Sequence, residues 1–317
     1  MIRLLVAITA VSMLAFAPAD AATVTYYPVP EGAHPHDVAP TLEGKVWYTA
    51  QAQGTLGLLD PKTGGTTQIP LGPDSAPHGV IVGPDRAAWI TDGGQNAIVR
   101  FNPKTHAIKR FPLPPGFVDA NLNTATFDRK GILWFTGQSG IYGRVDPSTG
   151  NVDAWKAPKG VGPYGITTTP GGDVWYASLA GDYIAKIDTV SGEAMVVSPP
   201  KPNVGPRRIW SDSKGLLWVS FWATGELARF NPAEKRWTMW RLPKTTSGCY
   251  AVYVDGKDKV WVSDFETNAI LRFDPVSQRF DSFPSNHPGA AVRQLLGRPG
   301  EVWGAESGTD RLVVIRD

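Results

Sequence analysis

The sequence has little cysteine and almost no net charge. Cys249 is its only cysteine, so no disulfide can form within the chain and the fold must hold by packing alone. The 31 basic and 29 acidic residues leave a formal net charge of +2, and no run of basic residues marks a nucleic-acid-binding face. We therefore expect one domain held together by its hydrophobic core, with no nucleic-acid partner.

Long hydrophobic runs are also missing, except at the start of the chain. A short charged start precedes an apolar run over 4–17, and small residues follow at Ala19 and Ala21. This order is typical of a secretory signal peptide, and the run is too short to span a membrane. We predict a signal peptide over 1–21 and a single domain over 22–317. The protein would then be periplasmic or secreted, soluble, without a membrane partner after cleavage, and monomeric.

Turn-forming and aromatic residues are abundant instead. The 34 glycines, 28 prolines and 10% aromatic residues favour an all-β fold with many short strands. Seven tryptophans, each in a short apolar run, recur at spacings of 41 to 45 residues: Trp47, Trp89, Trp134, Trp175, Trp218, Trp261 and Trp303. A strand-only repeat of this length is typical of propeller blades. The sequence therefore predicts a seven-bladed β-propeller with four antiparallel strands per blade.

The second repeat shows the four strands most clearly. They are predicted at 77–82, 87–91, 96–101 and 108–113, separated by turns rich in glycine, proline, aspartate and asparagine. The seventh repeat stops after its third strand. The segment 23–30 resembles the outer strands of other repeats, so we infer that it completes the last blade and closes the ring.

The tryptophans are expected to pack between blades, whereas two other positions of the repeat vary. By strand direction, the residue eleven before each tryptophan and the residue three after it should meet at one mouth of the central channel. The first set is His36, His78, Asn123, Tyr164, Arg207, Tyr250 and Val292. The second set is Ala50, Asp92, Gly137, Ser178, Phe221, Asp264 and Glu306. Variation inside a regular frame indicates that this mouth binds a small-molecule substrate or ligand.

The two sets suggest a division of chemistry around the ring. His36 and His78 are candidate catalytic residues, and Asp92, Asp264 and Glu306 on the same arc are candidate metal ligands. The remaining polar residues would contact substrate: Asn123, Tyr164, Arg207 and Tyr250. Structural roles remain open for each. The histidines would then bond water or a neighbouring blade, the aspartates would cap their own loops, and Arg207 would pair with a carboxylate. Cys249 is expected to be a buried, unreactive side chain.

The repeats resemble those of the virginiamycin B lyase (streptogramin lyase) family. The resemblance covers about 23–317 and is carried by runs such as Pro77-His78-Gly79-Val80 and Trp89-Ile90-Thr91-Asp92. It implies elimination at an ester linkage of cyclic streptogramin B antibiotics, assisted by a divalent cation, usually magnesium. On the matching positions, His36 corresponds to the first histidine and His78 to the general base. Ala76 stands where the family has a metal-binding glutamate, and Asp92 lies only near the second such position.

Three functions follow from these observations. The first is an exported, metal-assisted lyase or hydrolase acting on an ester, a lactone or a cyclic depsipeptide. The second is a non-catalytic binding or scaffold propeller. The third is a calcium-dependent hydrolase similar to gluconolactonases, with Asn123, Asp92 and Asp264 as ligands.

Overall fold

The predicted seven-bladed propeller is confirmed. In the computed structural model, which describes residues 22–317, 28 strands form seven four-stranded antiparallel sheets. Each sheet is one blade, and the first strand of every blade packs against the first strands of both neighbouring blades, so that the seven first strands surround a central channel. The predicted signal peptide lies outside the described residues. Within them, no helix is long and apolar enough to cross a membrane.

The strands are numbered along the chain, and each blade uses them in order from the channel outward. The first strands are β2 (Pro35–Pro40), β6 (Pro77–Val82), β10 (Leu122–Phe127), β14 (Pro163–Thr168), β18 (Pro206–Ser211), β22 (Cys249–Val254) and β26 (Val292–Arg298). The second strands are β3 (Val46–Ala50), β7 (Ala88–Asp92), β11 (Leu133–Gly137), β15 (Val174–Ser178), β19 (Leu217–Phe221), β23 (Val260–Asp264) and β27 (Glu301–Glu306).

The outer half of each blade follows the same order. The third strands are β4 (Thr55–Leu59), β8 (Ala97–Phe101), β12 (Ile141–Val145), β16 (Tyr183–Ile187), β20 (Glu226–Asn231), β24 (Ala269–Asp274) and β28 (Arg311–Arg316). The fourth strands are β5 (Thr66–Pro70), β9 (Ile108–Pro112), β13 (Val152–Lys156), β17 (Ala194–Val197), β21 (Arg236–Arg241), β25 (Arg279–Pro284) and β1 (Thr23–Pro28). A short 3₁₀ helix, Gln51–Gln53, follows β3.

The two ends of the described chain meet in the last blade. Strand β1 pairs antiparallel with β28, from Thr23 opposite Arg316 to Pro28 opposite Arg311. The predicted closure by the N-terminal strand is therefore confirmed. Closing the ring in this way pairs the edge that the last blade would otherwise expose.

The seven tryptophans pack between the blades, each at most 3% exposed. Five of their indole N–H groups donate to a carboxylate two to six residues earlier in the chain, as in Trp134 to Asp128 at 3.0 Å. Blades 1 and 4 lack this bond, because Thr41 and Thr169 occupy the position of Asp128. In blade 4 the Nε1 of Trp175 is buried without a partner. The tryptophans are thus core residues, and their surroundings differ slightly from blade to blade.

Candidate functional site

A bulge in the first strand of every blade aims side chains into the channel. In blade 1, Pro35 pairs with Ala50 and Val38 with Tyr48, which leaves the two intervening residues outside the regular ladder. The other six blades show a register shift at the same place. Bulges of this kind redirect side chains and are common beside functional sites.

Hydroxyl groups on the second strands hold the bulges of adjacent blades in place. Thr49 Oγ1 accepts the N–H of Asp37 at 3.0 Å and donates to the carbonyl of His78 at 2.8 Å. Thr91 makes the equivalent bond to the carbonyl of Asn123, and Ser220 to that of Tyr250. The backbone beneath the channel residues is therefore fixed by repeat-encoded hydrogen bonds between blades.

Counting eleven residues back from the tryptophan gives the wrong channel residue in blade 7. There Val292 pairs with Glu306, whereas in the other blades the residue before the channel position makes this pair. The turn between the first two strands of blade 7 is one residue shorter, so Arg293 and not Val292 takes the position equivalent to His36. An arginine of the mouth was thus missed, and only the strand register reveals it.

His36 forms a buried hydrogen-bonded chain with charged residues. Its Nδ1 lies 2.9 Å from Asp37 Oδ1, and the same oxygen accepts from Arg208 Nη2 at 3.0 Å. All three residues are less than 5% exposed. Because the carboxylate accepts, we assign the proton of His36 to Nδ1, which leaves Nε2 as its basic nitrogen. The chain joins blade 1 to blade 5 across the channel.

His78 lies against His36 and is held by Asn123. The two imidazole centroids are 3.7 Å apart, with their planes tilted by 44°. His78 Nδ1 is 3.2 Å from the backbone carbonyl of Asn123, and the Asn123 amide nitrogen is 3.2 Å from His78 Nε2. The carbonyl requires the proton on Nδ1, so the amide donates to the lone pair of Nε2. The basic nitrogen of His78 is therefore already occupied by a protein donor.

Burial favours the neutral form of both histidines. It lowers the pKa of His36 well below its usual value, and Arg208, Arg293 and Arg207 lower it further. Burial also lowers the pKa of His78, and the neighbouring His36 lowers it further. A neutral imidazole is the form that accepts a proton, so neither histidine has to lose a proton before it can act as a base.

A second cluster stacks arginine on tyrosine beside the histidines. The guanidinium carbon of Arg207 is 3.7 Å from the ring centroid of Tyr250, and Arg207 Nη2 donates to the hydroxyl of Tyr164 at 2.9 Å. The two tyrosine hydroxyls are 2.6 Å apart. Burial and Tyr250 raise the pKa of Tyr164 to about 12. Burial also acts to raise the pKa of Tyr250, but Arg207 and Arg208 outweigh it and lower that pKa.

An apolar rim borders this cluster. Trp222 lies edge-on to Tyr250 with centroids 5.6 Å apart, and Phe265 stacks on Tyr250 at 4.7 Å. Leu179 packs in the same hydrophobic cluster. These residues stand four after the tryptophans of blades 4 to 6, a position outside both predicted channel sets. Their counterparts in the other blades are polar residues or glycine: Gln51, Gly93, Gln138 and Ser307.

The three predicted metal ligands organise their own loops. Asp92 accepts from Ser75 Oγ at 2.5 Å and from the N–H groups of Ala76 and Gln95 at 2.9 and 3.0 Å. Asp264 accepts from the N–H of Glu266 at 3.0 Å and from Thr267 Oγ1 at 2.5 Å. Glu306 accepts from Ser285 Oγ at 2.8 Å and pairs with Arg311 at 2.5 Å. The structure does not bring these carboxylates together, whereas it does bring together the six other predicted site residues.

A magnesium or calcium ion does not fit the residues at this mouth. In residues 22–317, the one group of three side chains with metal-ligating atoms close together is His36, Asp37 and His78, within 4.8 Å. Two of these atoms are nitrogens, whereas both ions prefer several oxygens. The Asp37 oxygen already accepts from Arg208, whose charge would repel a cation. Ala76 also departs from the family pattern, because the resemblance implies a metal-binding glutamate at that position.

The channel opens differently on the other side of the Asp37–Arg208 pair. A cavity of about 500 Å³ reaches in from the opposite mouth and is lined by residues of all seven blades. Its walls are largely apolar and include Val82, Phe127, Ile166, Trp210, Tyr253 and Leu296. The histidines and Arg207 do not line it. We place the candidate site at the first mouth, because the ionisable and basic groups converge there.

Cys249 is buried at the start of β22, beside Tyr250. Burial raises the pKa of its thiol above the usual value. A buried thiol with a raised pKa is a poor nucleophile, so Cys249 takes no part in the site.

The virginiamycin B lyase family model matches residues 68–317. The chain belongs to the virginiamycin B lyase family. Its fold is similar to that of virginiamycin B lyase from Staphylococcus aureus, with 20% identity, a TM-score of 0.86, and coverage of 94% of this chain and 100% of that chain. A catalytically inactive variant of that enzyme, solved with quinupristin, matches with 20% identity, the same coverage and a TM-score of 0.85.

The same propeller also occurs in larger proteins. The extracellular domain of BT4673 from B. thetaiotaomicron matches at 17% identity and a TM-score of 0.69, over 92% of this chain and 40% of that chain. No curated protein sequence matches the chain. At these identities the solved structures establish the shared fold, and the chemistry of this member has to be argued from its own residues.

Proposed function

We propose that this protein is a carbon–oxygen lyase that opens an ester or lactone linkage by elimination, with His36 as the general base. The observation that carries the proposal is the hydrogen bond of 2.9 Å between His36 and Asp37 in a buried channel mouth of a virginiamycin B lyase family propeller. A carboxylate bonded to one imidazole nitrogen fixes the tautomer and orients the other nitrogen toward substrate.

The family resemblance implies His78 as the base, and the hydrogen bonds favour exchanging the two roles. His78 Nε2 accepts from the Asn123 amide at 3.2 Å, so that lone pair is not free to take a proton. His36 Nε2 has no hydrogen-bond partner among residues 22–317. His78 would then pack against His36 and help to position the substrate.

The reaction would need no metal ion. His36 Nε2 removes the proton from the carbon next to the carbon that bears the ester oxygen. The electrons of the C–H bond form a carbon–carbon double bond, and the C–O bond breaks with its electrons going to the departing carboxylate. Arg207 and Arg293 would stabilise the negative charge on this leaving group, and the imidazolium returns its proton to solvent.

The test is turnover of a streptogramin B depsipeptide such as quinupristin, the compound in the structure of the relative. Mass spectrometry separates the two reaction classes, since elimination leaves the mass of the opened product unchanged and hydrolysis adds a water. We expect an unchanged mass and a new double bond. His36→Gln should lower kcat about 10²- to 10⁴-fold, as removal of a general base does.

His106→Gln is the matched control. His106 is exposed in the turn between β8 and β9 with φ of 59°, and Gln278 occupies the same turn of blade 6 with φ of 56°. The control should keep full activity. Full activity in His36→Gln, or loss only in His78→Gln, would refute the assignment of the base. Absence of turnover with every ester and lactone tried would favour the binding-propeller alternative.

Export remains part of the proposal. The charged start, apolar run and small residues of 1–21 support cleavage after Ala21 and release into the periplasm or medium. N-terminal sequencing of the mature protein is the direct measurement. A first residue far from Ala22 would contradict it.

A further inference from the structure

The bulge positions at the channel mouth carry more arginines than carboxylates. The bulge positions of blades 5 and 7 hold three arginines: Arg207, Arg208 and Arg293. Among the bulge positions within residues 22–317, Asp37 is the one carboxylate. Burial favours the neutral form of both histidines. Arg208 pairs with Asp37, whereas Arg207 and Arg293 have no carboxylate partner within residues 22–317. The bulge positions therefore hold two arginines that no carboxylate of the described chain pairs with, whereas the nearby carboxylates of Asp92 and Asp264 accept from hydroxyl and N–H groups of the loops.

Its donors are also incompletely used. Arg207 Nε and Arg208 Nε are buried without a hydrogen-bond partner. Buried N–H groups are normally paired, and an orphaned donor at a site points to an absent acceptor. The guanidinium carbon of Arg207 lies 3.7 Å from the ring centroid of Tyr250 and 4.4 Å from that of Tyr164. Stacking against both rings fixes the plane of this guanidinium. A planar guanidinium held this way is suited to a carboxylate.

We infer that the mouth binds a carboxylate through Arg207 and Arg293, and that the bound molecule has an aromatic or apolar body resting on Trp222 and Phe265. The site would thus be an anion site where the family resemblance implies a cation site. The inference deepens the proposed function by naming a charged group that substrate or product carries. Binding itself needs no turnover, so the two fail separately.

The experiment uses three probes of similar shape and different charge: benzoate, benzamide and benzylamine. Their binding to the mature protein is measured by calorimetry at low ionic strength and neutral pH, where charge effects are least screened. We expect benzoate to bind, benzamide to bind at least tenfold more weakly, and benzylamine not to bind. Added salt should weaken benzoate binding.

Arg207→Gln and Arg293→Gln should each weaken benzoate binding about tenfold or more, the loss expected for one charge-assisted hydrogen bond. Arg279→Gln is the control, because Arg279 is exposed on the outer strand of blade 6 and the charge change is the same. Arg293 makes no side-chain hydrogen bond among residues 22–317, so Arg293→Gln is expected to fold even if Arg207→Gln does not.

Equal binding of all three probes would overturn the inference, and so would benzoate binding that neither arginine substitution weakens. Thermal unfolding with Mg²⁺, Mn²⁺ or Ca²⁺ supplies the opposing test. A stabilisation by one of these cations that benzoate competes away would show that the mouth binds a metal ion instead.

Discussion

Asp37→Asn tests whether the buried ion pair with Arg208 holds the channel together. Asp37 and Arg208 are 2% and 4% exposed and lie 171 positions apart, on blades that are not neighbours. The substitution leaves the Arg208 guanidinium charged, buried and without its carboxylate. Arginine cannot lose its proton to escape this cost, so we expect a loss of about 3–5 kcal/mol of unfolding free energy.

The loss is measurable as a shift in melting temperature. An unfolding entropy of about 2 cal/mol/K per residue gives about 0.6 kcal/mol/K for this domain, so Tm should fall by about 5–8 °C. Arg208→Met should cost less, and progressively less as the pH falls. Burial raises the pKa of Asp37 while Arg208 opposes the rise, so without Arg208 the carboxyl takes up a proton more readily.

The double variant Asp37→Asn with Arg208→Met tests whether the two side chains stabilise the fold as a pair. It should be more stable than the sum of the single losses predicts, by about 0.5–3 kcal/mol, because neither charge is left unpaired. Calorimetric unfolding of all four proteins gives this coupling. A Tm of Asp37→Asn within about 1 °C of the parent, or strictly additive losses, would refute the reasoning.

Three further predictions concern stability. Thr169→Asp should raise the unfolding free energy by about 1 kcal/mol, measured by urea unfolding, because it supplies the acceptor that Trp175 Nε1 lacks; an unchanged value would contradict this. Stability should fall as pH drops below about 6.5, by up to about 1.4 kcal/mol per pH unit for each of His36 and His78, since the unfolded chain binds protons that the folded histidines, with lowered pKa, do not. Unfolding between pH 6.5 and 5 measures this slope, which the double glutamine variant should lose. Deleting 22–28 removes β1 and should lower Tm sharply, and an unchanged Tm would contradict ring closure by that strand.

The fold could be predicted from the sequence because the patterns that indicate it are local and repeated. Each tryptophan stands in a short apolar strand, and the turns around it use residues whose backbone preferences do not depend on distant contacts. Ring closure also followed, because a missing fourth strand at one end matched a spare strand at the other. Strand ends were placed to within about one residue, as in 87–91 predicted and Ala88–Asp92 observed.

The site was only partly readable, because its chemistry depends on relations between blades. The channel set was found by counting from the tryptophans. The count failed at Arg293, where the turn is one residue shorter. Nor does spacing indicate what a carboxylate bonds to. Asp37 and Asp92 both belong to strand ends near the mouth. Asp37 accepts a hydrogen bond from Arg208 across the channel, whereas Asp92 accepts one from the N–H of Ala76 in a neighbouring loop.

The arginines and the absent glutamate are consistent with one change of chemistry. A divalent cation at this mouth would need acidic ligands, and Ala76 removes one carboxylate while Arg208 occupies the Asp37 oxygen. An elimination still requires stabilisation of negative charge on the departing group. Cationic side chains supply it without metal ligands, and three arginines stand within the ring that holds His36. Burial lowers the pKa of His36 and the same charges lower it further, which favours the unprotonated form that can accept a proton. In this channel, therefore, the groups that would replace the metal would also keep the base in its active form.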